Sequence, residues 1–174
     1  MKKFLYVIFF ITFAINGNAQ VYIGGEISFW DNNDDHETTI SVIPEVGYRV
    51  SKRFAAGAKA GYGYSKVKGV HTDSYIIEPY LRHIPYSKNG FEIYWDGTLE
   101  LSFIDPSNAR SGYCLGIGAK PGIGYIINGH FGITANLGFI GYRHCERNFK
   151  HPKYKPGLGF SFLNDLSFSL YYHF

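Results

Sequence analysis

The stretch FEIYWDGTLELSF, Phe91 to Phe103, decides how the rest of this 174-residue chain is read. Its odd positions hold Phe91, Ile93, Trp95, Gly97, Leu99, Leu101 and Phe103. Its even positions hold Glu92, Tyr94, Asp96, Thr98, Glu100 and Ser102. A side-chain period of two belongs to a β-strand, whose successive residues point to opposite faces. The stretch therefore predicts a long strand with one oily face and one polar, acid-bearing face.

The same period recurs along the chain. Ile40, Val42, Pro44, Val46 and Tyr48 stand against Glu45, Gly47 and Arg49. Leu115, Ile117, Ala119, Ile123 and Tyr125 stand against Gly116, Gly118, Lys120, Gly122 and Gly124. No window carries a helical period. Strands are predicted near 20–30, 38–50, 53–65, 74–85, 91–103, 112–127, 130–142 and 155–174. Three segments share the form Pro-x-aliphatic-x-ring: Pro44 to Tyr48, Pro79 to His83 and Pro121 to Tyr125. Each is followed, after a polar turn, by Phe54, Phe91 or Phe131. A spacing of roughly forty residues marks a repeated supersecondary unit, here a hairpin with its loop.

Turns after strands 2, 4 and 6 read as short: Ser51-Lys52, Pro85 to Asn89, and Ile127-Asn128-Gly129. The loops after strands 1, 3, 5 and 7 read as longer and polar. An even strand number with this asymmetry predicts an all-β fold, an eight-stranded antiparallel up-and-down barrel.

The first nineteen residues form a separate object. Lys2 and Lys3 precede an apolar run from Phe4 to Ile15, and Gly17 and Ala19 supply small residues for cleavage. That pattern is a secretory signal peptide, too short to span a bilayer as a helix. Residues 20–174 remain as one barrel domain. Losing two lysines leaves 15 basic against 14 acidic residues, from 17 and 14 in the whole chain, so no nucleic-acid partner is expected. Sparse charge (18%) beside equally abundant aromatics (18%) excludes a disordered chain.

Two eight-stranded barrels fit the alternation, and they are inverted relative to each other. A soluble lipocalin-like barrel is apolar inside, whereas a transmembrane barrel is apolar outside. The polar face is rich in Gly and carries Glu26, Glu45, Glu78, Asp96 and Glu100 with Arg49, Lys59, Arg82 and Lys120. An eight-stranded interior holds only packed side chains, and buried charges must find partners. These nine residues are therefore expected to form a lumen charge network in a transmembrane barrel. Phe29, Tyr48, Phe54, Phe91, Tyr125, Phe131, Tyr172 and Phe174 sit near strand ends on the oily face, as interfacial girdles do. The final LSFSLYYHF keeps period two to the last residue. It must pair with the first strand, because no sheet edge can stand in lipid.

IPEVGYRVSKRFAAGAKAGYGYSK, Ile43 to Lys66, resembles the outer-membrane β-barrel domain family of small OmpA/OmpX-like, porin-like eight-stranded barrels. KPGIGYIINGHFGITANLGFIGY, Lys120 to Tyr142, repeats that look, and the terminal LSFSLYYHF fits it. The resemblance covers the mature chain and implies location in the outer membrane of a Gram-negative envelope. It also implies contact with outer-membrane lipid and lipopolysaccharide, and delivery by the outer-membrane insertion machinery. Tyr172 and Phe174 resemble the C-terminal signal that this machinery reads. With no peptidoglycan-binding domain after Phe174, an anchoring role is not expected. A monomer with a structural or surface-interaction role through its loops is expected. The alternatives are a secreted soluble barrel binding an apolar ligand and, third, a lipid-modifying or proteolytic enzyme.

Other chemistry is weakly signalled. Asp31 to Glu37 resembles the start of a calcium loop, but His36 and Val42 occupy the positions that need Gly and Glu. His144, Cys145 and His151 lack a zinc-ligand spacing. His36, His71 and His144 lie near the loop end, yet no Ser or Asp spacing singles one out as catalytic. No cofactor, metal or enzymatic activity is expected. The basic segment Arg143 to Lys155 could touch anionic lipopolysaccharide, an acidic glycan or the acidic first loop. Two cysteines in an exported chain suggest a disulfide between Cys114 and Cys145. Counting back from the 127–129 turn places Cys114 opposite Tyr142.

Overall fold

A computed structural model describes residues 20–32, 37–67, 69–146, 156–161 and 166–174. The leader at 1–19, the centre of the calcium-like loop at 33–36, and His151 within the basic segment lie outside the described residues. Ten strands follow in chain order: β1 (Gln20–Asn32), β2 (Glu37–Arg49), β3 (Phe54–Val67), β4 (Val70–Lys88), β5 (Phe91–Pro106), β6 (Gly112–Ile127), β7 (Phe131–Asn136), β8 (Phe139–Cys145), β9 (Gly157–Ser161) and β10 (Ser167–His173). All pairings are antiparallel. β7 with β8, and β9 with β10, are successive parts of single staves. Eight staves close into a barrel, with β5 joining β6 and β1 joining β10.

The founding stretch behaves as its period dictates. Along β5 the even residues from Glu92 to Ile104 are buried and their odd neighbours face outward, apart from half-buried Leu101. The register winds. The row opposing Tyr22 runs through Gly47, Gly57, Tyr80, Thr98, Gly118 and Gly141 to Gly159 on β9. Tyr22 itself pairs with His173, at the other end of that last stave. This stagger is the shear that any closed barrel of tilted strands requires.

Turn chemistry corrects three sequence expectations. First, β4 does not stop at Pro85. A register shift between His83 and Tyr86 absorbs the proline, and the strand runs to Lys88. The turn is Asn89-Gly90, with φ of 52° and 82°, the pattern of a two-residue I′ hairpin. Second, the β6–β7 turn is Asn128 to His130, with Ile127 opposite Phe131. Above it, Pro121 offers no N–H, and Leu137-Gly138 bulge out of the opposite stave, Leu137 N donating to Pro121 O at 2.8 Å. These shifts place Cys145, not Tyr142, opposite Cys114; Tyr142 faces Ile117. Third, the loop after strand 3 is not long: only residues 68 and 69 separate Val67 from Val70. Residues 107–111 connect β5 to β6, and eleven positions, 146–156, separate β8 from β9.

Among the described residues, much of the outer surface between the two ends is oily. Ile27, Leu81, Leu99, Ile117 and Leu170 are each more than half exposed. Tyr62, Tyr75, Phe103 and Tyr113 stand directly opposite one another across four strands toward the loop end. Tyr48, Phe54, Tyr86, Phe91, Tyr125, Phe131, Tyr172 and Phe174 gather toward the turn end, all outward-facing.

Candidate functional site

The interior is where the chain concentrates its chemistry. All nine charges expected to face inward are brought together there. Alternation supplies the direction and the register supplies the partners. Glu45 opposes Lys59, and Lys59 opposes Glu78; Arg82 opposes Asp96, and Asp96 opposes Lys120. Acid and base thus alternate across neighbouring strands, the favourable cross-strand arrangement.

Three layers follow from the turn end upward. At the bottom, Arg49 clasps Glu92 with both terminal nitrogens, at 2.8 to 3.0 Å, and Ser87 Oγ also donates to Glu92. In the middle, Arg82 forms a bidentate pair with Asp96 at 2.7 and 2.8 Å. Glu45, fully enclosed, receives the hydroxyls of Tyr80 and Tyr171 and lies 3.7 Å from Lys59 and 3.8 Å from Arg82. Lys59 reaches on to Glu26 at 2.6 Å. In the upper layer Lys120 bridges Glu78 and Glu100, each at 2.8 Å, and Arg143 holds the other side of Glu100 at 2.8 Å. Thr98 Oγ1 donates to Glu78 at 3.0 Å. Stranding one member of such a network leaves an uncompensated buried charge, so each group depends on its neighbours.

Inward aromatics fill the remaining space. Arg82 lies 4.0 Å over the Tyr94 ring, and Arg143 lies 3.9 Å over Phe139. Tyr22 Oη meets Tyr80 Oη at 2.6 Å, and its ring packs edge-on to Tyr171. The inward glycines make room for these rings. A Cβ on Gly47 would enter the Tyr22 ring, one on Gly57 the Tyr80 ring, one on Gly122 the Tyr94 ring, and one on Gly118 the Phe139 ring. Above the upper layer, the Cys114–Cys145 disulfide packs with Ile104 and caps the interior. A space of about 20 Å³ remains among Tyr22, Arg49, Arg82, Glu92, Thr134 and His173. That is room for about one water rather than a channel.

Sequence reasoning set Glu92 and Tyr94 on the polar face of β5 without giving either a role, and left out Arg143, Tyr22, Tyr80, Tyr171 and Phe139. Glu92 and Tyr94 share the even parity of Asp96 and Glu100, a signal available in the sequence. Arg143 was read as the first residue of a loop. The bulge at 137–138 lengthens that stave and turns Arg143 inward beside Glu100.

The other candidates lie apart from this network. Tyr172 and Phe174 are outward at the turn end. Their rings touch at a centroid distance of 5.0 Å, and Phe131 packs on Tyr172 at 5.2 Å. Phe174 N donates to Val21 O at 3.0 Å. His71 Nδ1 lies 2.6 Å from Tyr64 Oη at the loop end, and His144 is exposed. Cys145 sits in the disulfide, which removes its thiolate from any metal set. Neither a protein-family model nor a curated protein matches this chain.

Proposed function

We propose that this chain is an integral outer-membrane barrel. It acts as a closed structural or surface-interaction element rather than as an open pore. The observation that carries the reading is the inverted polarity of the barrel. Charged groups are paired inside, while Leu81, Leu99, Ile117 and Leu170 are presented outside. A monomer in water rarely exposes apolar patches beyond a few hundred Å², whereas lipid solvates such a surface. The two aromatic zones, Tyr62–Tyr75–Phe103–Tyr113 above and the ring of Tyr and Phe below, suit the two interfaces of a bilayer. Among the described residues the lumen is filled by paired charges and rings, with a space of about 20 Å³ beside Arg49 and Glu92, which weighs against a lipocalin-like carrier with an apolar core.

In this orientation the tight turns face the periplasm, and the ends of β8 and β9 that residues 146–156 join face outward. Recognition at the cell surface then belongs to that connection, with its basic content directed at lipopolysaccharide or a similar polyanion. The outward Tyr172 and Phe174 suit the insertion machinery, and the barrel acts as a monomer.

The test compares gel mobility of the membrane-fraction protein with and without boiling, together with conductance in a planar bilayer. A heat-dependent shift, extraction by detergent only, and no large conductance steps are expected. A protein that stays in solution without detergent and shows no shift would sink the proposal.

A further inference from the structure

We propose that the seam between β1 and the last stave is a lateral slot. It takes one single-chain amphiphile whose head is uncharged and hydrogen-bonding. β1 pairs with β2 along its whole length, but with β10 only from Tyr22–His173 to Gly25–Leu170. Among the described residues, β1 has no ladder partner on that side beyond Gly25. Continuing the register would set Glu26 against Ser169 and Ile27 against Phe168. Instead a space of about 490 Å³ lies there, within the size range of small-molecule sites.

The slot is polar at its inner end and oily toward the outer surface. Gly24, Glu26 and Ser169 line the inner end, and Ile27, Phe168 and Leu170 line the outer part. Ser169 is 1% exposed, and its hydroxyl has no hydrogen-bond partner among the described residues. A buried hydroxyl in that state calls for a ligand or another explanation. Beside it, Glu26 is held by Lys59 at 2.6 Å.

Charge selects the head. Glu26, Glu45, Glu78, Glu92, Asp96 and Glu100 face Arg49, Lys59, Arg82, Lys120 and Arg143, one more acid than base. A carboxylate head would add to that excess in a poorly solvated place. A hydroxyl-bearing head instead accepts from Ser169 Oγ and donates to Glu26, while its single tail lies against Ile27 and Phe168. The slot is a property of the seam and exists whether or not the barrel stands in lipid.

The experiment uses the purified full chain in a bilayer of two-chain phosphatidylcholine, which supplies no single-chain amphiphile with an uncharged head. The probe is a monoacylglycerol carrying a diazirine in its tail, with adducts mapped by mass spectrometry. Adducts are expected to concentrate at Ile27, Val42, Phe168 and Leu170. Unlabelled monoacylglycerol is expected to displace the probe, and oleate to compete about tenfold less well, the worth of one good hydrogen bond or charge contact. Ile27→Trp, on the exposed surface, should block capture without disturbing the fold. Ser169→Ala should weaken capture by up to about tenfold. Adducts spread equally onto Leu99 and Ile117 on the opposite wall would overturn the proposal. So would equal competition by oleate, or undiminished capture by Ile27→Trp. A heat-modifiable barrel with evenly spread adducts defeats the slot alone. A detergent-independent protein labelled at the seam defeats the membrane reading alone.

Discussion

The wall from β3 to β6 and the seam at β1–β10 are made of the same alternating strands, yet they are held differently. In the wall, β5 pairs with β6 without interruption from Phe91–Tyr125 to Ile104–Gly112. The charges behind it are matched across the same ladders. At the seam, among the described residues, four register pairs close the circle. Side chains do much of the work there: Tyr22 edge-on to Tyr171, Tyr171 donating to Glu45 at 2.7 Å, and the Phe131–Tyr172–Phe174 rings outside. A barrel can therefore be a continuous sheet around most of its girth and a side-chain clasp over the rest.

That contrast can be broken by measurement. Arg82→Ala strands Asp96 and part of Glu45 in the middle layer, and should cost about 3–5 kcal/mol in urea unfolding from detergent micelles. A loss below about 1 kcal/mol would mean that the layer is not one coupled unit. Leu99→Arg, on the outward face of the wall, should cost about 2–4 kcal/mol in a bilayer refolding assay. Leu158→Arg, on β9 toward the loop end, should cost about 0–1. Equal costs would show that no oily band girdles the barrel between its ends. Tyr171→Phe removes one donor to Glu45 and should cost about 1–3 kcal/mol. If it also leaves the mobility of the unboiled protein unchanged, the clasp is redundant. The smallest effect, about 1 kcal/mol, is expected for Asn89→Ala at the β4–β5 turn, where a left-handed φ disfavours any residue with an ordinary Cβ.

Most of the barrel was legible because period two is a local property. Each strand's faces can be assigned from a few residues, and the inward charges stand out on the minority face. Register is not local in the same way. The bulges at Pro85 and at Leu137-Gly138 each insert one residue, and no period announces them. The turn at Asn128 to His130 moves the Cys114 partner by two positions and the Leu137-Gly138 bulge by a third, and the same bulge carries Arg143 from the expected loop into the strand. The interior rings were legible in direction but not in packing. Tyr80 has the parity of Glu78 and Arg82, and Tyr94 that of Glu92 and Asp96, whereas the opposed glycines that make room for these rings show only once the strands are paired. The short β3–β4 connection was hidden because its flanks, Ser65-Lys66 and His71 to Ser74, are polar although they form strand.

The Cys114–Cys145 bridge also implies an order of events. Its residues are 31 apart in the chain, whereas β1 and β10 come from its two ends. Closing a longer loop costs more entropy, so hairpins form before the seam. Once oxidised, the β6–β8 hairpin is a covalent ring that keeps its index even while the chain around it is unstructured. A slip of one residue would turn an oily face inward, and the ring forbids that slip. The other staves can then be counted off from a fixed mark, with the clasp at the two ends fastened last.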